Sequence, residues 1–264
     1  MATYLDRILE HHRARARADR REVGRLREMC RELAPTRGFR DALVVGGDLA
    51  VISEVKRRSP SKGDLAVDLD PAELARTYRD GGAACLSVLT DAPHFGGSPG
   101  DLAAARSAVE LPVLRKDFTV SLLDVFDARL MGADALLLIV AALNDDELAA
   151  FDEAARDIGL DVLVETHDEH EVERAIASTT AALVGVNQRD LVTFAVDQER
   201  AVRVADAIPA DAVKVAESGV RGRGDAVALA AAGYDAVLVG EHLVTAEDPG
   251  RALGNLRVPR RRGR

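Results

Sequence analysis

Short apolar runs alternate with segments of helical spacing along most of this chain. Eight runs stand out: Ala50 to Lys56, Ala84 to Leu89, Pro112 to Lys116, Ala135 to Val140, Asp161 to Glu165, Ala182 to Asn187, Ala212 to Glu217 and Ala236 to Gly240. Each is rich in Val, Leu or Ile at consecutive positions, the pattern of parallel strands buried on both faces. The segments between them read as helices. Asp70-Pro71-Ala72-Glu73 sets an N-cap, a first-turn proline and a capping-box glutamate in order. That helix is expected to end near Gly81, a residue suited to a left-handed C-cap. Gly82-Ala83-Ala84, Gly132-Ala133-Asp134-Ala135 and Gly233-Tyr234-Asp235-Ala236 repeat the same junction, a helix-ending glycine and then a buried strand.

Eight βα units of about 26 residues predict an α/β fold of the (β/α)8 TIM-barrel type. A doubly wound sheet would need a glycine-rich first turn. Gly222-Arg223-Gly224 is the nearest candidate, but Val227 takes the place of the third glycine and the segment lies late in the chain. The expected organisation is a single barrel domain over residues 1–264, with an N-terminal helical extension over 1–47 and a frayed basic tail over 257–264.

The extension is dense in arginine from Leu5 to Leu33. Leu5, Ile8 and Leu9, then Val23, Leu26, Met29, Cys30 and Leu33, recur at helical spacing. Because Asp and Glu are interleaved, the basic side is expected to be a solvated helix face. His11 and His12 are expected at the surface.

Composition narrows the function. Apolar residues make up 47% of the 264 positions, enough for a substantial core. The net charge of −9 disfavours nucleic acid as a partner, since a phosphate backbone is bound through basic surface. A few local lysines and backbone amides could still bind a small anion. Cys30 and Cys85 have no metal-type spacing and fit a reducing compartment. No secretory leader is legible and the longest apolar run is too short to span a bilayer, so a cytoplasmic enzyme without membrane partners is expected.

In a barrel the chemistry comes from the C-terminal strand ends. Side chains alternate along a strand, so Ile52, Glu54 and Lys56 share one face. By the same parity Lys116 follows Leu114, Glu165 follows Leu163, Asn187 follows Gly185, and Glu217 follows Val215. Five strands thus end in a charged or amide group able to face one cavity. Burial there is expected to lower lysine pKa values and raise those of glutamates, which suits proton transfer near neutral pH. Ser59-Pro60-Ser61-Lys62-Gly63 after the first strand, with Glu217-Ser218-Gly219 and Gly240-Glu241 after the last two, suggests a phosphate site built on backbone amides. His167 and His170 are three apart but lack further ligands, so no metal is expected.

Several of these motifs resemble the indole-3-glycerol phosphate synthase family. They are Ile52-Ser53-Glu54-Val55-Lys56-Arg57-Arg58-Ser59-Pro60-Ser61, Ser87-Val88-Leu89-Thr90-Asp91 with Phe95-Gly96-Gly97-Ser98, and Leu114-Arg115-Lys116-Asp117-Phe118. Val164-Glu165, Gly185 to Leu191 and Val215-Ala216-Glu217-Ser218-Gly219 match as well. The resemblance covers nearly the whole chain, the N-terminal extension included. It implies a carboxy-lyase of tryptophan biosynthesis that converts 1-(2-carboxyphenylamino)-1-deoxyribulose 5-phosphate to indole-3-glycerol phosphate, as a monomer and with no metal or organic cofactor. Carried over residue by residue, Lys116 would be the acid for ring closure, and Lys56 a second cation or acid. Glu165 would be the partner base, and Glu54 a proton acceptor or an orienter of Lys56. Asn187, Glu217 and Ser218 would position the substrate. Phosphate would rest on Ser61, Gly219, Gly240 and Glu241, with Arg189 nearby. Phe95 and Phe118 would wall the aromatic ring. The sequence departs from the family pattern at His94, at Thr119 to Asp124, at Thr166 and at Glu241. A Schiff base on Lys116 or Lys56 is the competing chemistry, and a silent phosphate-binding barrel the competing class.

Overall fold

A computed structural model describes residues 3–260. Eight parallel strands close into a barrel: β1 Ala50–Val55, β2 Cys85–Leu89, β3 Val113–Lys116, β4 Ala135–Ile139, β5 Asp161–Thr166, β6 Leu183–Asn187, β7 Val213–Glu217 and β8 Ala236–Val239. Each pairs with its chain neighbours and β8 returns to β1. Every expected strand is present, with ends displaced by one residue at most.

The local signals act as the sequence suggested. Asp70 accepts from the backbone N–H of Ala72 and Glu73 and starts the helix Pro71–Gly81. Gly132 and Gly233 take the left-handed conformation at φ 91° and 90°. The first barrel helix ends at Gly81 as expected, and the left-handed residue is Gly82, at φ 91°, the helix-ending glycine of the repeated junction. Gly81 also serves packing, because a Cβ there would stand 2.9 Å from the carbonyl oxygen of Gly250 on the helix Pro249–Leu256.

The extension forms three helices: α1 Tyr4–Ala18, α2 Val23–Arg31 and α3 Phe39–Val44. The short helix α3 lies against β1, β2 and β7, where the fully buried Phe39 and Leu43 close the N-terminal end of the barrel. The arginine-rich side stays largely exposed, as expected, but three of its arginines reach acids on the barrel. Arg13 bonds Glu147 at 2.7 and 3.0 Å, Arg21 bonds Asp127 at 2.7 and 2.8 Å, and Arg31 bonds Asp157 at 2.7 Å. The three acids lie on the barrel helices Asp145–Asp157 and Leu122–Leu130. Half-exposed pairs of this kind contribute roughly 0–1 kcal/mol each, so they orient the extension. Burial of Ile8, Leu26 and Cys30 is what holds it.

Two expectations change. His12 is buried, not at the surface. The start of the supposed frayed tail is anchored: Leu49 N–H donates to Val258 C=O at 2.7 Å, Arg260 N–H to Gly47 C=O at 2.9 Å, and the Arg260 guanidinium to Val44 C=O and Asp235. This clasp satisfies backbone groups that would otherwise be orphaned beside the start of β1. The rest of that tail, 261–264, lies outside the described residues. None of the described helices is long and apolar enough to cross a membrane.

Candidate active site

A cavity of about 650 Å³ opens at the C-terminal ends of the strands. All the residues singled out in the sequence line it: Glu54, Lys56, Ser61, Phe95, Lys116, Phe118, Glu165, Asn187, Arg189, Glu217, Ser218, Gly219, Gly240 and Glu241. Strand parity explains why. Lys116, Glu165, Asn187 and Glu217 each stand two positions beyond an inward apolar or glycine residue, so the pleat turns them into the barrel mouth.

The centre is an ion network. Lys116 Nζ donates to Glu165 Oε2 at 2.7 Å and to Glu217 Oε2 at 2.9 Å. Asn187 Nδ2 donates to Glu165 Oε1 at 3.0 Å. Lys56 Nζ and Glu54 Oε1 form a separate pair at 2.5 Å. Glu165 and Gly185 are partners in register, and so are Asn187 and Glu217. Glycine at 185 leaves room for the Glu217 carboxyl, because a Cβ there would run into Oε1 and push that side chain aside. Gly240 has the same relation to Glu54 Oε1.

The titration of these groups differs from the simple burial argument. Burial works against the Lys116 charge, but Glu165, Glu217 and Glu54 outweigh it and hold the ammonium above the usual lysine range. Burial pushes Glu165 up, yet Lys116 and His167 outweigh it and bring its carboxyl down to about 2. Glu217 goes the other way, pushed up to about 8 because burial and the Glu165 charge together exceed the pull of Lys116. Two carboxylates share one cation, so one is held ionised and the other favours its proton. Glu217 Oε1 is buried with no partner, while Oε2 bonds Lys116.

The cavity walls are polarised. Phe95 and Phe118, with ring centroids 6.4 Å apart, stand on one side with Leu137 and Ile139. Lys62, Arg189 and Arg221 stand on the other, beside Ser218 and Gly219 at φ 63° and 74°. The cationic side chains gathered beside them suit an anion. Positive φ at a serine is uncommon and strained, and such strain persists where the surroundings enforce it. Here Gln188 and Gln198 do so, donating to the carbonyls of Ser218 at 2.8 Å and Gly219 at 2.6 Å. Neither glutamine was singled out in the sequence. Asp91 and Asp117 also line the wall without having been given a role, although both follow strand ends in the quoted motifs.

Among the described residues one cluster has metal-type ligands, His12, Asp91 and His94. Its hydrogen bonds account for it. Arg15 can only donate, so it places an acceptor at His12 Nδ1 (3.3 Å) and the proton of the neutral ring at Nε2. That nitrogen faces Asp91 Oδ2 at 3.3 Å, and His94 Nδ1 faces the same oxygen at 2.8 Å. The cluster ties α1 to the helix Ala92–Phe95, whose N-cap is Asp91.

Fold and cavity together define a barrel of the enzyme type, with lysines, carboxylates and an amide gathered at the strand termini. Comparison with known proteins makes the class specific. The family model for indole-3-glycerol phosphate synthase matches residues 5–256, so the chain belongs to that family. Indole-3-glycerol phosphate synthase 2 of Streptomyces coelicolor is 52% identical over 247 residues, covering 94% of this chain and 95% of that protein. The synthase of Nocardioides sp. is 56% identical over 204 residues, 77% and 78% of the two chains. That of Mycolicibacterium vanbaalenii is 48% identical over 257 residues, 97% and 94%. A solved thiamine phosphate pyrophosphorylase from Pyrococcus furiosus superposes with a TM-score of 0.59 at 18% identity over 82% of this chain and 95% of that one, a likeness of fold alone.

Proposed function

We propose that this chain is a carboxy-lyase that closes the indole ring, converting 1-(2-carboxyphenylamino)-1-deoxyribulose 5-phosphate to indole-3-glycerol phosphate, carbon dioxide and water. The observation that carries the reading is the polarised cavity: an aromatic wall, a cationic glycine-lined wall, and a buried lysine–carboxylate network between them. Such a substrate has the same layout, an aromatic ring at one end, a phosphate at the other and a ketone between.

In this reading the aromatic carbon that bears the carboxylate attacks the ketone carbon, and Lys116 gives its proton to the ketone oxygen. The surrounding carboxylates keep Lys116 as an ammonium. An alkoxide is a far stronger base than an amine, so transfer to it runs downhill. Loss of carbon dioxide then restores the aromatic ring. The new hydroxyl leaves as water with Lys56 or Lys116 as acid, and Glu165 takes the ring-side proton. Glu54 orients Lys56; Asn187, Glu217 and Ser218 hold the substrate; Phe95 and Phe118 flank its ring. Phosphate lies against Ser61, Gly219, Gly240 and the backbone of Glu241, with Arg189 beside it. A Schiff base on either lysine is disfavoured, because both are engaged as ion pairs and a nucleophile must be the free amine. We also propose a monomeric, cytoplasmic protein, to be checked by sedimentation and by fractionation of cells.

Adding purified protein to the carboxyphenylamino-deoxyribulose phosphate is expected to produce indole fluorescence. Absence of turnover by folded protein that still binds the compound would overturn the assignment.

A further inference from the structure

His167 plays no part in the steps above, yet it lies two residues beyond Glu165 and stands, half-buried, between two carboxylates. On one side Glu171 Oε2 accepts from the His167 backbone N–H at 2.8 Å and faces its Nδ1 at 2.9 Å. On the other, Nε2 stands 3.9 Å from Glu165 Oε1. That Nε2 is buried and has no hydrogen-bond partner among the described residues. The bond to Glu171 places a proton on Nδ1, since an ionised carboxylate only accepts. A neutral ring would then point an unpaired lone pair at Glu165, which is electrostatically unfavourable in a buried site. A doubly protonated ring removes that conflict and sets a cation between two acids.

We propose that His167 is a positioning residue for the ring-closing reaction: as an imidazolium held by Glu171, it keeps Glu165 ionised and oriented toward Lys116. The inference rests on the function proposed above. Glu165 Oε2 receives Lys116 and Oε1 receives Asn187, with His167 Nε2 3.9 Å from Oε1. The carboxylate is therefore braced by two cations and one amide. The direction of titration agrees. Burial works to lower the imidazole, but Glu171 and Glu165 outweigh it and raise it above its ordinary value, while Arg200 pulls it down slightly. Other charged groups face the same ring from the packed elements. Asp168 and Glu169 come from the start of the helix Glu169–Ser178, Asp190 from the loop after β6, and Arg200 and Arg203 from the helix Arg200–Val204. They surround a second cavity of about 410 Å³ that His167 also lines, which gives the ring a side turned away from the substrate.

The test compares wild type, His167→Asn and Glu165→Gln. Asn keeps a donor within reach of Glu171 but cannot carry charge. With the carboxyphenylamino-deoxyribulose phosphate, His167→Asn is expected to lose about tenfold in kcat, less than the 10²–10⁴ of a group that itself moves the proton, with KM nearly unchanged. Wild-type kcat should fall as pH rises through the imidazole titration, and that limb should be missing in His167→Asn. Independently of any turnover, the ring nitrogens of His167 are followed by NMR against pH in wild type and in Glu165→Gln. Removing the Glu165 charge should lower the His167 titration by about one unit or more. A titration unmoved by Glu165→Gln overturns the proposal, as does a folded His167→Asn with wild-type kcat and an unchanged pH profile. If wild type itself does not turn over while the NMR coupling is present, the functional assignment fails and the His167–Glu165 coupling stands.

Discussion

At the N-terminal end of the barrel, Asp134 is fully buried and fully engaged. It accepts from Arg37 N–H at 2.8 Å, Val113 N–H at 2.9 Å and the Arg106 guanidinium. Asp235 accepts from Lys214 N–H and Arg260 at 3.0 Å each, and Asp161 from Arg40 N–H at 2.9 Å. At the opposite end Glu54, Glu165 and Glu217 are as deeply buried, but they share two lysines, and Glu217 keeps an unpartnered oxygen. Both ends hold carboxylates wholly or partly away from water, Asp161 and Asp235 being half-buried. At the first end backbone N–H groups and arginine satisfy them, which locks strand starts to the extension and to the chain's last described residues. At the second the groups outnumber their fixed partners, which leaves proton positions open. Satisfied buried acids hold a structure together; under-satisfied ones are available for chemistry.

The comparison can be broken from either end. Lys116→Met should have the largest effect, a loss of about 10²–10⁴ in kcat with substrate still bound, read by single-turnover kinetics. Closure at the wild-type rate would show that the acid lies elsewhere. Asp134→Ala should do the converse. It leaves Arg106 and two N–H groups unpaired and should cost about 3–5 kcal/mol of stability in denaturant unfolding, with activity per folded molecule retained. Gly185→Ala tests the crowding at the reactive end. Its Cβ would displace the Glu217 carboxyl, for an expected fall of about 10²-fold in kcat/KM at nearly wild-type stability.

A further effect is on stability against pH. The Glu217 carboxyl rises from 4.5 in the unfolded chain to about 8 in the folded one. Its contribution is therefore full below 4.5 and is lost as pH rises through about 8, because the folded state binds the extra proton in that window. Glu165, brought down to about 2, contributes above 4.5 and loses its contribution as pH falls toward 2. His167 also titrates above its ordinary value, so the Glu217 contribution is read as the difference between wild type and Glu217→Gln. Wild-type stability should decline from pH 5 to pH 8 relative to Glu217→Gln, and chemical denaturation across that range checks it. Parallel curves for the two proteins would place the extra proton on another group.

The strands, their register of inward residues and most of the cavity lining were legible in the chain because they depend on local rules. Consecutive apolar residues mark a doubly buried strand, parity fixes which side chains share a face, and glycine ends a helix where a left-handed residue is needed. The motifs from Ile52 to Ser61 and from Val215 to Gly219 likewise carried the family resemblance without coordinates. Three things were decided only by tertiary structure. His12 was expected at the surface, but α1 folds it onto Asp91, 79 positions away in sequence. The arginine-rich face was expected in solvent and stays largely exposed, but the acids that Arg13, Arg21 and Arg31 reach lie on two barrel helices more than a hundred residues on. Lys116 was expected to lose proton affinity on burial and gained it, because three strands bring their carboxylates around it. A sequence states which groups are ionisable and which way each strand turns them. The sign of a pKa shift, the burial of a histidine and the acids that an exposed arginine reaches depend on charges brought together across the fold, and those distances exist only once the barrel has closed.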